Sequence, residues 1–396
     1  MSGPGRIIGV DVARSLALMG MVAAHLLGSE PVDGQVGTWY QIVSGRSASL
    51  FALLAGLSLA LITRAATDSA GARGERSRLF VRAVVIGMLG IVLGIFPSGL
   101  AVILTYYGVL FLFALPVVRW RAGRLALLAL AWGLLTPVLS MLVRPHLPET
   151  TQQVPNPLSL ADPWQLVTEL TFTGYYPVVP WATYLFAGMA IGRLDLGSAR
   201  WGRRLLVWGG WLAILALAVS RLVTRATSTR ESLIASYDGR EEVTDWASLD
   251  LALRQGLHGT TPTDSWWWLG VWSPHSGSIV DLAHTTGSSM AVLGLCLVLV
   301  QVTGRRARRV WQIAFGAGSM TLSLYTLHIM VVSAPESVPL THSLSANLAG
   351  ILVLGAAFAA LRTRGPLESL ISQLTSDGNQ AAGARRDKAP STSRRH

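Results

Sequence analysis

Charge, lysine and cysteine are scarce in this 396-residue chain. Charged residues make up 13% of it, about half of the ~25% usual in soluble domains. With 51% hydrophobic residues and a mean hydropathy of +0.47, that scarcity excludes a water-soluble enzyme and a disordered chain. Cys296 is the only cysteine, so no disulfide scaffold is available. Lys388 is the only lysine among 32 basic residues. The net charge of +11 does not point to nucleic acid, because the arginines lie between apolar runs and do not gather on one soluble face. No P-loop, dinucleotide fingerprint or nucleophile elbow is present.

What the chain has is long apolar runs. Ten of them, near 7–28, 47–63, 80–97, 99–118, 123–143, 178–194, 203–223, 278–303, 310–333 and 343–362, approach the ~20 residues needed to cross a ~30 Å hydrocarbon core as helices. With the N-terminus in the cytoplasm, inner segments hold 24 basic residues and outer segments seven. The reverse orientation violates the positive-inside rule in every loop. The expectation is therefore an all-α, polytopic integral membrane protein of about ten transmembrane helices, with cytoplasmic N- and C-termini. Asp11 and Arg14 interrupt the first run, which argues against a cleaved signal peptide. Residues 1–371 read as one transmembrane domain with long outer loops at 144–177 and 224–277. Residues 372–396 read as a disordered basic cytoplasmic tail, preceded by a short amphipathic helix beginning at Gly365, Pro366, Leu367 and Glu368. Membrane lipids are the first expected partners, in a multi-pass plasma-membrane setting; self-association is left open. Trp266, Trp267, Trp268 and Trp272 fit an interfacial belt or the rim of an outward cavity.

Ionisable groups inside spans are costly unless they face protein or water, so they mark candidate sites. Eleven residues separate Arg14 from His25. At ~100° per residue this puts them on one helical face, ~16 Å apart, with Asp11 one turn from Arg14. In the eighth run Asp281, His284, Thr285 and Ser288 share a face, and a carboxylate one turn from an imidazole suits general-base chemistry. His328 ends the ninth run, while His275 and Arg46 flank the eighth and second on the same side. On the inner side Arg78 and Arg82 crowd the third run within reach of Arg14, and arginine forks bind phosphates. No ligand spacing suggests a metal.

The opening "RIIGVDVARSLALMGMVAAHL" resembles the first span of membrane acyltransferases. It is most similar to the bacterial YeiB-like family related to the heparan-alpha-glucosaminide N-acetyltransferase catalytic domain. "GRSASLFALLAGLSLAL", "LTYYGVLFLF", "GYYPVVPWATYLFAGMAIGR", "PHSGSIVDLAHTTGSS", "SMTLSLYTLHIM" and "RGPLESL" extend the similarity over residues 6–371. Ser15 stands where that family usually has glycine. The resemblance implies a transacylase that moves an acyl group, first of all acetyl, from cytoplasmic acyl-CoA to a hydroxyl or amine of an extracytoplasmic glycan or glycolipid. Donor binding would then fall to Arg14, Asp11, Arg78 and Arg82. Chemistry would fall to His25, with Asp281, His284, His328 and Arg46 in support. The competing expectation is a transporter or flippase for a lipid-linked or amphipathic solute, against which stand the missing internal repeat and the histidines' bias to one leaflet.

Overall fold

A computed structural model describes residues 7–63, 69–239 and 242–375. Arg6, Arg64 and the tail from 376 lie outside the described residues. The described chain is helix, turn and loop, with one isolated bridge between Val32 and Gln35. In chain order the helices are α1 (Ile8–Leu27), α2 (Thr38–Val43), α3 (Arg46–Ile62), α4 (Ser69–Leu93) and α5 (Leu104–Ala114). Then follow α6 (Ala122–Val143), α7 (Pro163–Thr168), α8 (Val178–Gly192), α9 (Ala199–Val223) and α10 (Thr227–Ala235). The last are α11 (Trp246–Gln255), α12 (Ile279–Gln301), α13 (Arg305–Ala314), α14 (Thr321–Val332) and α15 (Leu344–Leu361), before a final helix over 366–375.

Among the described residues six helical stretches are long and apolar enough to cross a membrane, with α2 and α3 counting as one. The α5, α8 and α14 helices are apolar but shorter. Each of the ten expected runs meets a helix, yet two runs differ in kind. The run at 99–118 is helical only over Leu104–Ala114, about 16 Å at 1.5 Å per residue. Pro97, Gly99 with φ +68 and Pro116 bound it. The run at 310–333 is two helices, because a tight turn at Gly316–Ser319 separates α13 from α14.

That break has a packing cause. A Cβ on Gly318 would overlap the Asp11 carbonyl of α1, and one on Gly316 would overlap the Gly355 carbonyl of α15. Ser15 Oγ donates to the Phe315 carbonyl at 2.8 Å, beside the 3.2 Å bond that the same carbonyl accepts from Gly318 N in the turn. This hydroxyl ties α1 to the turn. Elsewhere α9 and α12 touch backbone to backbone, since a Cβ on Gly209 or Gly287 would meet the other helix's main chain. Small residues permit such approach where apolar burial alone cannot drive association in lipid.

The described parts of the long loops are structured. Residues 224–277 carry α10 and α11 over a small core of Leu233, Leu249, Leu253, Trp268 and Val271. Trp266 and Trp267 are exposed, whereas Trp268 is fully buried and its Nε1 donates to Ser236 Oγ at 2.9 Å. Arg144, at the end of α6, joins the two loops by donating from Nη1 to the Thr261 carbonyl (2.6 Å) and from Nη2 to Thr261 Oγ1 (3.2 Å). The helix over 366–375 folds back so that Glu368 accepts from the first amides of α14, Leu322 N at 2.8 Å and Ser323 N at 3.2 Å. A segment expected to lie along an interface is therefore also an N-cap delivered from elsewhere in the chain.

Candidate active site

Helix α1 carries a polar group at each end of its apolar face. At one end His25 Nδ1 lies 3.3 Å from His328 Nε2 of α14, and the two ring planes are 7° from parallel with centroids 5.5 Å apart. His328 Nδ1 lies 3.0 Å from Asn347 Oδ1 of α15. Asn347 Nδ2 donates to the Thr341 carbonyl at 2.8 Å and the Ser343 carbonyl at 3.0 Å. The first helix and the consecutive α14 and α15 thus converge on one polar line. Sequence reasoning missed Asn347, although an amide in the apolar run at 343–362 is the signal that could have found it.

His275 joins this end. It is near enough to His25 to act on it electrostatically, and its ring stacks on Trp181 at 6.2 Å and meets Tyr176 edge-on at 5.7 Å. Burial and neighbouring His258 push the His275 imidazole down to about 4. Gly45, with φ +71, lets the start of α3 pass against Pro274 and His275.

Arg46, His284 and Asp281 form a second cluster. Arg46 Nε donates to His284 Nε2 at 2.9 Å, and its guanidinium lies 4.9 Å from the Trp272 ring centre. His284 Nδ1 meets the Ala213 carbonyl at 3.0 Å. With Arg46 donating to one nitrogen and a carbonyl beside the other, His284 is a neutral Nδ1–H tautomer with neither ring atom free. The carboxylate–imidazole pairing suggested by the 281/284 spacing is replaced by tertiary partners. Asp281 Oδ2 accepts from Gly277 N at 3.0 Å, while Oδ1 is buried with no hydrogen-bond partner. Arg46 Nη1 is spent on the carbonyls of Gln41 and Ile42. This cluster clamps α3, α9 and α12 together beside the histidine line.

At the other end of α1, Arg14 Nη1 donates to Asp11 Oδ1 at 3.1 Å and Nη2 to Ser58 Oγ at 2.5 Å. Both residues line a cavity of about 1470 Å³ together with Arg78 and Arg82, so the structure gathers all four expected donor-binding residues. Arg308, Arg309, Arg362 and Arg364 bring its arginines to seven, against the carboxylates Asp11 and Glu368. The deep wall is apolar and aromatic, with Phe51, Leu54, Tyr107 and Tyr325. Tyr325 lies one helical turn before His328 on α14. Such a cavity suits a ligand with an anionic head and a slender, less polar arm. Among the described residues no cluster of His, Cys, Asp and Glu is arranged to hold a metal ion.

Helices of membrane-spanning length, an arginine-lined cavity and a histidine line on one shared helix together describe a helical membrane protein with an internal polar site. The family model described as heparan-alpha-glucosaminide N-acetyltransferase, catalytic, matches residues 6–222. The chain belongs to that family, a membrane acyltransferase family. Comparison with curated proteins gives no match. The matched span includes Asp11, Arg14, His25, Arg46, Arg78 and Arg82, whereas Asp281, His284, His328 and Asn347 lie beyond it.

Proposed function

We propose that the protein transfers an acyl group, acetyl in the first instance, from cytoplasmic acyl-CoA to a hydroxyl or amine on an extracytoplasmic glycan or glycolipid. In this reading ten segments cross a bacterial plasma membrane with both termini inside, within one domain ending near 371. The observation that carries it is the pairing on α1 of an arginine-lined cavity at one end with an imidazole line at the other. The family's acetyltransferase name supports the reaction class.

The nucleotide end of CoA carries phosphates that arginine forks bind in bidentate fashion. Arg82, set between Arg14 and Glu368 electrostatically, and Arg78 serve the same anion. The pantetheine arm runs along the Phe51, Tyr107 and Tyr325 wall toward His25. There an imidazole nitrogen takes the proton from the acceptor as its oxygen or nitrogen attacks the thioester carbon. The C–S bond breaks, and the departing thiolate recovers that proton as CoA. In an acyl-imidazole route the same nitrogen attacks first and hands the acyl group on. Arg46, Asp281 and His284 hold the wall beside these events.

The binding arm of the test needs no acceptor. Purified protein is melted in detergent with and without acetyl-CoA, where ligand at 100 times its Kd adds about 2.7 kcal/mol of apparent stability. Wild type and His25→Ala shift with acetyl-CoA, Arg14→Ala shifts far less, and His25→Ala alone binds without transferring. If folded wild type shows no shift with any acyl-CoA, the acyltransferase reading fails and a transport role takes its place.

A further inference from the structure

The hydrogen-bond line at the histidine end has a direction, and it can be read from one side chain. Asn347 Nδ2 faces two carbonyls, of Thr341 and Ser343, at 2.8 and 3.0 Å. Only an NH₂ group satisfies two acceptors, so the atom facing His328 is the amide oxygen. An oxygen 3.0 Å from His328 Nδ1 requires a proton on that nitrogen. In the neutral ring His328 Nε2 is then a bare acceptor. It faces His25 Nδ1 at 3.3 Å, which must donate in turn. The ring planes are 7° from parallel and the centroids 5.5 Å apart, close to two ring radii plus the 3.3 Å between the nitrogens. The rings therefore meet edge to edge, and that N–H and that lone pair point at each other, the geometry such a bond prefers.

We propose that Asn347 and His328 are positioning residues that hold His25 in its Nδ1-protonated tautomer, so that His25 Nε2 is the nitrogen that meets the substrates. The tautomer stands on the hydrogen bonds alone; its catalytic use rests on the acyltransferase reading. Which ring nitrogen carries the proton is set by the bond the other one makes.

The relay is neutral, and this distinguishes it from a carboxylate-backed histidine. An amide oxygen orients an N–H and takes no proton. The titratable groups facing His25 are His328 from α14 and His275 from the segment before α12. Among the described residues no carboxylate bonds to either ring of the pair; Asp281 is turned to Gly277 N. A proton accepted on His25 Nε2 therefore finds no counter-charge and is returned readily to the departing thiolate. For an acyl group carried on Nε2, the same lack of a counter-charge keeps the acyl-imidazole reactive. The arrangement favours turnover over proton storage.

Two measurements test it. The first is independent of activity: protein with ¹⁵N-labelled histidine is placed in lipid bilayers and its ring-nitrogen shifts are read by solid-state NMR, with His25→Asn identifying the His25 signals. A protonated Nδ1 and bare Nε2 on His25, lost in Asn347→Leu and in His328→Phe, support the relay. A protonated Nε2 on His25 in wild type overturns it. The second follows CoA thiol release from acetyl-CoA with glucosamine as the amine probe. In Asn347→Leu and His328→Phe, kcat falls about 10- to 100-fold with the KM for acetyl-CoA within twofold. His328→Phe leaves the Asn347 ties to residues 341 and 343 in place, so a fold defect common to both variants is not expected, and their unliganded melting temperatures check this. In Asn347→Asp the acid limb of the pH–rate profile moves to higher pH, because a carboxylate favours the charged imidazole. An unmoved profile together with unchanged kcat in all three variants overturns the positioning role. No thiol release by folded wild type overturns the acyltransferase reading instead, and the NMR result still decides the tautomer.

Discussion

Removing the carboxylate of Glu368 tests whether a residue far along the chain sets the geometry of the histidine line. Its Oε1 accepts from Leu322 N and Ser323 N at 2.8 and 3.2 Å, and its Oε2 from Ser323 Oγ at 2.5 Å. Ser323 Oγ in turn accepts from Leu367 N at 3.0 Å. Loss of a helix cap costs about 0.5–2 kcal/mol, and a hydrogen bond to a charged group is worth about 1.5–3 kcal/mol. The site borders the cavity, so water re-satisfies part of what is lost, and Glu368→Ala should cost about 2–4 kcal/mol. Glu368→Gln keeps an oxygen for the two amides and should cost about 1 kcal/mol. The assay is a thermal melt in detergent beside CoA release from acetyl-CoA. Because α14 bears Tyr325 and His328, its frayed first turn should also lower turnover in Glu368→Ala beyond what unfolding explains. Equal melting temperatures for wild type, Glu368→Ala and Glu368→Gln would refute the argument that this carboxylate anchors α14.

Three further outcomes follow from the packing and charge. Gly318→Ala forces α1 and the turn before α14 apart and should lower the melting temperature by the equivalent of about 1–3 kcal/mol, whereas Gly123→Ala, which meets open space, should not. His275 is held near 4 when folded, below the ~6.5 of a free histidine. Between these values the unfolded chain binds the proton that the folded one refuses, so stability should fall as pH drops from about 6.5 to 4; His275→Gln should flatten that slope in a pH series of melts. Arg46→Lys loses the Nε bond to His284 and the planar stacking on Trp272, and should destabilise by about 1–3 kcal/mol without restoration at high salt.

The helices were legible because apolar runs report burial in lipid or core whatever the tertiary partners are. The shared face of Arg14 and His25 was legible too, since eleven residues close three turns on one helix. Gly316 and Gly318 read as ordinary residues of an apolar run; only the carbonyls of Asp11 and Gly355, remote in sequence, make a break there. Spacing misled at Asp281 and His284, where one turn of separation suggested a pair but Arg46 and the Ala213 carbonyl supply the imidazole's bonds. His25, His328 and Asn347 come from three separate helices, so no local pattern could announce their line. The cavity shows the same limit: its arginines were visible as inner charge, but only Arg14, Arg78 and Arg82 read as neighbours, while Arg308 and Arg309 of α13 and Arg362 and Arg364 of the connector after α15 join them through packing.

The fold-back of residues 366–375 bears on the order in which the protein acquires its binding site during synthesis. Ile8, Asp11 and Arg14 line the cavity and emerge from the ribosome long before Arg364, Glu368, Ile371 and Ser372, which line it too. A nascent chain inserted up to α15 carries the early arginines as an open, half-walled vestibule. Enclosure comes only when the last described helix turns back and docks under α14. Closure of the chamber is thereby deferred until residues 366–375 have been added, and an abandoned fragment that stops short of residue 366 would lack both the wall and the cap that complete it.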